Sequence, residues 1–215
     1  MADEAELRGE VVRVAQALDR AGFCPSKSGN VSVRWRDGLL ITPTGLPYAN
    51  MRPEDVVELD LSGTQRTGRL EPSSEWPLHS GIYKARPDAE AIVHAHSPMA
   101  TALSCARIGI PSFHYMIAIC GGPGIRCGQY ATFGTQQLAD NAVEALWNRK
   151  AALLANHGMV AVGMTLEGAR VIAVEVENLA NQYLALLQAG IEPAILGEAE
   201  MRRIVEKFES YSKAG

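Results

Sequence analysis

The run Ala91-Ile92-Val93-His94-Ala95-His96 carries two histidines two residues apart and leads directly into Ser97-Pro98. Its apolar, β-branched lead-in predicts a buried strand. Side chains alternate across a strand, so His94 and His96 project to the same face, where two imidazoles can reach a single cation. The plainer alternative is one core histidine and one surface histidine, each satisfying a local hydrogen bond. His157 closes a second apolar run, Ala151 to Ala155, in the turn Asn156-His157-Gly158. Three imidazole nitrogens from two strand ends suit a catalytic zinc, which keeps a further position open for water or substrate. Only five histidines occur in the chain, and three at strand ends favour a site over scatter.

Glu75 is the best fourth ligand or base. It follows Glu71-Pro72-Ser73-Ser74, which reads as a helix entrance with the serines as capping candidates. A carboxylate in the first helical turn gains from the positive end of the helix dipole, although a solvated glutamate is the ordinary occupant there. His79 is four residues on and shares that helical face, so it either supports the ligands or simply packs. Three loops of glycine with small hydroxyl or amide residues, Ser28-Gly29-Asn30, Thr44-Gly45 and Ser73-Ser74, can present backbone N–H groups in nests suited to phosphate. Turns use the same residues anyway. None of the five lysines falls within an apolar strand, where desolvation would prepare it for Schiff-base chemistry. Between the two known ways to stabilise a carbanion, the residues point to metal.

These residues require a scaffold of strands and helices. Leu7, Val11, Val14 and Leu18 recur at helical spacing, predicting a helix over about 4–21 that Gly22 stops. Strands are predicted at Val31–Trp35, Leu39–Ile41, Val56–Leu61, Ala91–His96, Ala151–Ala155 and Met159–Val162, with Asp37-Gly38 as a hairpin signal. Helices are expected over about 76–84, 99–106, 134–146, 165–188 and 198–211, and the glycine- and proline-rich stretch 110–130 as loops with short strand pieces. Strands in hairpin-like neighbours imply an α/β fold with a largely antiparallel central sheet flanked by helices, not a doubly wound one.

With 215 residues, 47% hydrophobic content and 20% charged residues, the chain can bury a substantial core. No repeat or linker interrupts it, so one domain spanning 1–215 is expected. A net charge of −4 offers no electrostatic case for nucleic acid or anionic membrane. The acidic start Met1-Ala2-Asp3-Glu4 is unlike a signal peptide, and no apolar run approaches membrane-spanning length. Cys24, Cys105, Cys120 and Cys127 lack paired metal spacing and read as buried thiols of a reducing cytoplasm.

As an ordered set these stretches resemble the class II aldolase/adducin family. The resemblance runs through Ser28-Gly29-Asn30-Val31-Ser32-Val33-Arg34, Leu40-Ile41-Thr42-Pro43-Thr44-Gly45, Pro72-Ser73-Ser74-Glu75-Trp76 and Val93-His94-Ala95-His96. It continues in His114-Tyr115-Met116-Ile117-Ala118, Tyr130-Ala131-Thr132-Phe133-Gly134-Thr135 and Asn156-His157-Gly158. Lys27 and Ser28 stand where one member of the family has small uncharged residues, so phosphate contacts there can differ.

The resemblance implies one zinc per subunit held by Glu75, His94, His96 and His157. It implies substrate phosphate held by Gly29, Asn30, Thr44, Gly45, Ser73 and Ser74. Glu75 would double as acid/base, and Tyr115 would be the acid/base at the breaking bond of a neighbouring subunit. Phe133, Phe208 and Tyr211 match positions that wall the aldehyde end. The implied activity is a carbon–carbon lyase cleaving a ketose 1-phosphate, by default L-fuculose 1-phosphate, reversibly to dihydroxyacetone phosphate and an aldehyde, in a cytoplasmic homotetramer with sites at subunit interfaces. Alternatives are 5-deoxyribulose 1-phosphate or 5-methylthioribulose 1-phosphate as substrate, or a same-fold epimerase, dehydratase or decarboxylase. Glu75 stands where the epimerase pattern has aspartate, and the full ligand set disfavours an adducin-like scaffold without activity.

Overall fold

The computed structural model describes residues 3–212. Helix α1 (Glu4–Arg20) precedes the hairpin β1 (Asn30–Trp35) and β2 (Gly38–Ile41), then β3 (Val57–Asp60) and β4 (Gln65–Thr67). Helix α2 (Trp76–Ala85) leads into β5 (Ala91–Ala95), α3 (Pro98–Ala106), β6 (Ile110–Pro111) and β7 (Gly124–Gly128). Helix α4 (Gln136–Ala145), the hairpin β8 (Ala151–Leu154) and β9 (Gly158–Gly163), then α5 (Leu166–Gln188) and α6 (Glu198–Ser212) follow. Among the described residues, nine strands form one sheet in the order β4-β3-β2-β1-β5-β9-β8-β7-β6. Every pairing is antiparallel except β7 with β8. This is the α/β class and the largely antiparallel sheet that the strand pattern implied.

Alternation along the central strands divides the core into two layers. Val31, Val33, Ala91, Val93, Ala95, Met159 and Ala161 face the larger layer, with residues of α1, α3 and α5. Ile92, Val160 and Val162 face the other, with Leu78, Ile82 and Tyr83 of α2 and Ala142 and Ala145 of α4. Strand β5 is in the middle, paired with β1 through Asn30↔His94 and with β9 through His94↔Val160. Buried on both faces, it reads as a nearly continuous apolar run, and His94 is its exception.

Several local expectations change. The first hairpin turns through Arg36 and Asp37, because Trp35 already pairs with Gly38. Gly38 is required by space: a Cβ there would be 2.0 Å from the Leu59 carbonyl oxygen of β3. The exposed, polar strand β4 lacks the apolar alternation that marks a strand. Neither Ser73 nor Ser74 caps α2; Glu75 holds the N-cap position without a side-chain cap bond, and the Ser73 hydroxyl accepts from the Glu75 N–H (3.3 Å). Tyr115–Cys120 forms 3-10 turns within the predicted loop region. All four cysteines are free, but only Cys24 and Cys120 are buried; Cys105 is exposed and Cys127 half-buried. Burial pushes the Cys24 and Cys120 thiols up to about 12. Among the described residues no helix is long and apolar enough to cross a membrane.

Ile92 carries the α2-facing layer at the centre of the sheet and is 0% exposed. Ile92→Ala is expected to cost about 2–5 kcal/mol, read as a lower urea midpoint at unchanged slope.

Candidate metal centre

Four donor side chains meet where β5 ends, β9 begins and α2 starts. One ligand atom each from Glu75, His94, His96 and His157 all fall within 4.8 Å of one another. The His94 Nε2 is 3.0 Å from His96 Nε2 and 3.1 Å from Glu75 Oε2; His157 Nε2 is 3.2 Å from Glu75 Oε1. The three rings stand edge to face, with centroids 4.7–4.9 Å apart. Strand parity aims His94 and His96 together, and the β8–β9 turn delivers His157 beside them. Gly158 makes that approach possible: a Cβ would be 2.5 Å from the Ala95 carbonyl oxygen and 3.1 Å from His96 Cδ2.

Proton bookkeeping tests whether a cation fits. The Met159 carbonyl only accepts, so His94 donates to it from Nδ1 (2.8 Å) and, when neutral, turns the Nε2 lone pair inward. That lone pair faces Glu75 Oε2, which when ionised only accepts. Glu75 Oε1 is buried and makes no aligned hydrogen bond. Burial works to raise the Glu75 pKa, but the imidazoles of His94 and His157 outweigh it and hold the carboxyl far below the usual carboxylate range. Burial opposes charge on His94, yet Glu75 and the Met159 carbonyl raise its pKa. Burial and the neighbouring His94 and His157 push His96 down to about 3. Three imidazole nitrogens and an ionised carboxylate converging on one point form a donor set that suits a divalent metal, with zinc the common partner of such ligands.

Beside the donors is a cleft lined by Ser28, Gly29, Ser74, Glu75, His96, Tyr130, Ala131, Phe133, Asn156 and His157. Among the predicted phosphate residues, Gly29 and Ser74 line it. Thr44 and Gly45 form an exposed loop, tied to the first loop where Lys27 Nζ donates to the Gly45 carbonyl (3.1 Å). The Thr44 N–H is committed to the Glu71 carbonyl (3.0 Å). Asn30 and Ser73 are buried underneath, and the Asn30 side chain donates to Glu75 Oε2 (3.0 Å) rather than opening to the cleft.

Phe133, 64% exposed, is at the cleft mouth. Tyr115 is 52% exposed, stacked on His114 at 4.8 Å, and does not line the cleft of its own chain. Phe208 is half-buried against the larger apolar layer, away from the cleft. The Tyr211 side chain lies outside the described residues. Lys27, Lys84, Lys150 and Lys207 are exposed, so none has the desolvated setting of a Schiff-base lysine.

Three cleft residues, Tyr130, Ala131 and Asn156, escaped sequence reasoning as individual contributors. Tyr130 opens the stretch that contains Phe133. Asn156 holds a left-handed φ of 55° and accepts from Arg107 Nε (2.9 Å), and that backbone turns His157 toward the donors. Its one sequence signal was the Asn-His-Gly triplet.

Residues 9–184 match the family described as Class II Aldolase and Adducin N-terminal domain. The chain is 50% identical to a 5-methylthioribulose-1-phosphate/5-deoxyribulose-1-phosphate aldolase of Rhodospirillum rubrum, over 95% of this chain and 92% of that one. It is 43% identical to the L-fuculose phosphate aldolase of Escherichia coli, over 96% and 95% of the two chains. Among solved structures, an L-fuculose 1-phosphate aldolase superposes with a TM-score of 0.91 at 38% identity, covering 97% of this chain and 98% of the other.

Because backbone atoms block the space beside Gly158, Gly158→Ala is expected to leave a folded protein whose metal affinity falls roughly tenfold or more. Equilibrium dialysis against zinc, with circular dichroism as the folding control, measures it.

Proposed function

The chain belongs to the class II aldolase and adducin family, and from that premise we propose that it is a divalent-metal-dependent aldolase cleaving a ketose 1-phosphate to dihydroxyacetone phosphate and an aldehyde. The observation that carries the proposal is the convergence of Glu75, His94, His96 and His157 within 4.8 Å. A scaffold without activity has no use for a buried carboxylate set among three imidazoles. We assign one zinc per subunit to these four residues.

The bound ion supplies a Lewis acid that stabilises the negative charge generated as the carbon–carbon bond opens. The chain's own residues do the rest. Gly29 and Ser74, which line the cleft, with the Thr44 hydroxyl and Gly45 of the loop tied to it, hold the phosphate and orient the reacting carbons, while Asn30 and Ser73 support them from beneath. The Tyr115 Oη takes the proton from the hydroxyl next to the scissile bond. Glu75, ionised as a ligand, takes the proton of the substrate hydroxyl that replaces it and delivers that proton to the carbon that the aldehyde leaves, while the proton held by Tyr115 returns to the product oxygen. Glu75 thus serves first as ligand and then as acid/base. Phe133, with Phe208 and Tyr211, walls the aldehyde end.

Tyr115 is exposed and away from its own cleft, which supports a role in a neighbouring subunit's site and hence a homotetramer with shared sites. The cytoplasm is the proposed location. L-fuculose 1-phosphate is the default substrate. A second reading, 5-deoxyribulose 1-phosphate or 5-methylthioribulose 1-phosphate, is favoured by the 50% identity to an aldolase of that name.

Zinc-loaded protein is expected to release dihydroxyacetone phosphate from at least one of these three ketose phosphates, with at least a hundredfold loss after chelation that zinc restores. A coupled triose-phosphate assay reads both effects. Product without triose phosphate would transfer the chain to the epimerase, dehydratase or decarboxylase branch.

Mixing Tyr115→Phe with Glu75→Gln subunits is expected to recover activity above either parent, because some hybrid sites carry both native residues. Confirmed hybrids with no recovery would place Tyr115 outside a shared site.

A further inference from the structure

Behind Glu75 runs a buried chain of polar groups that the chemistry above leaves unused. Asn30, Ser32, His79 and Tyr83 are each at most 2% exposed. Asn30 and Ser32 alternate with Val31 and Val33 and so occupy the α2-facing side of β1, while His79 and Tyr83 are one turn apart on α2. Tyr83 Oη is 2.8 Å from Ser32 Oγ, which is 2.6 Å from His79 Nδ1. His79 Nε2 is 2.5 Å from Asn30 Oδ1, and Asn30 Nδ2 is 3.0 Å from Glu75 Oε2.

The end of the chain determines its direction. An ionised carboxylate only accepts, so Asn30 must turn its NH2 to Glu75 and its carbonyl oxygen to His79. His79 must then donate from Nε2 and accept at Nδ1, which takes the Ser32 hydroxyl proton. The Ser32 oxygen in turn accepts from Tyr83. Reversing any link brings two acceptors or two donors together in a buried site, a costly mismatch. Burial, chiefly, pushes the His79 pKa down to about 3, consistent with one neutral tautomer.

We infer that His79 is a positioning residue for Glu75: through the Asn30 amide it keeps one donor on Oε2 and holds the carboxylate in the orientation that lets it both face the metal and exchange protons. The inference rests on the proposed role of Glu75 as ligand and acid/base. Ser32 serves it by selecting the His79 tautomer. Neither touches substrate.

The test uses full-length protein carrying His79→Leu, His79→Gln, Ser32→Ala or Ser80→Ala. The Ser80 hydroxyl is also buried on α2 but bonds the Leu61 carbonyl, off this chain. Cobalt(II) affinity, read from visible absorption, needs no turnover; thermal unfolding and the separate kcat and KM values accompany it. His79→Leu is expected to weaken cobalt binding and to lower kcat by roughly 10–100-fold, with KM within about twofold. Ser32→Ala should move the same way by a smaller factor, His79→Gln should recover part of the loss by restoring a donor to Asn30, and Ser80→Ala should match wild type.

Wild-type cobalt affinity in folded His79→Leu, equal effects of Ser32→Ala and Ser80→Ala, or no recovery in His79→Gln would each overturn the inference. Should His79→Leu fail to fold, the comparison of Ser32→Ala with Ser80→Ala decides. The expected cobalt pattern in a protein that cleaves no ketose phosphate would sink the proposed function and leave the positioning role standing. Cleavage by wild type without that pattern would do the reverse.

Discussion

Glu75 is an ionised carboxylate at 7% exposure, and its neighbourhood is organised by the cost of keeping it there. An unpaired buried charge is among the most expensive features a fold can carry. Three imidazoles and the Asn30 amide surround it, and none of them is on the same element as Glu75. Strand β5 brings His94 and, just past its end, His96. The β8–β9 turn brings His157, and β1 brings Asn30. The carboxylate is therefore stable only when the sheet, its register and the start of α2 are all in place.

The two faces of the sheet divide the work. The larger layer, under α1, α3 and α5, is closed by apolar side chains such as Val93, Leu153 and Val176. The layer under α2 and α4 is apolar around Ile82 and Ile92 but holds a line of polar groups running from Tyr83 to Glu75. A buried polar line is tolerated when every donor has an acceptor, and this one is satisfied in a single direction that ends on the carboxylate. Rigid packing on one side and directed hydrogen bonds on the other hold the donor atoms in place, and preorganised dipoles of this kind are what electrostatic stabilisation of a developing charge demands.

The donor set is deep and the cleft mouth is open. His94 is fully buried, whereas Tyr130 and Phe133 are 53% and 64% exposed. Relatives at 50% and 43% identity are named for different sugar phosphates, and the exposed aromatics at the mouth do not contact the buried end of the donor set. The four donors thus belong to the interior and the exposed aromatics to the rim.

Local patterning was sufficient for much of this. Strand parity put His94 and His96 on one face, since side-chain alternation is a property of the backbone alone, and the helical spacing of Leu7, Val11, Val14 and Leu18 marked α1. The ordered loops marked Gly29 and Ser74, which do line the cleft. Tertiary structure decided what depends on partners distant in sequence. It turned Asn30 inward to Glu75 and committed Ser73 beneath the cleft, because pairing of β1 with β5 sets Asn30 opposite His94. It also left Tyr115 outside its own cleft and made His79 one link in a directed chain. Residue types and short spacings determine which groups can bind a cation; only long-range register determines which of them meet it, because a hydrogen-bond partner 45 or 49 residues away leaves no periodic trace in the sequence.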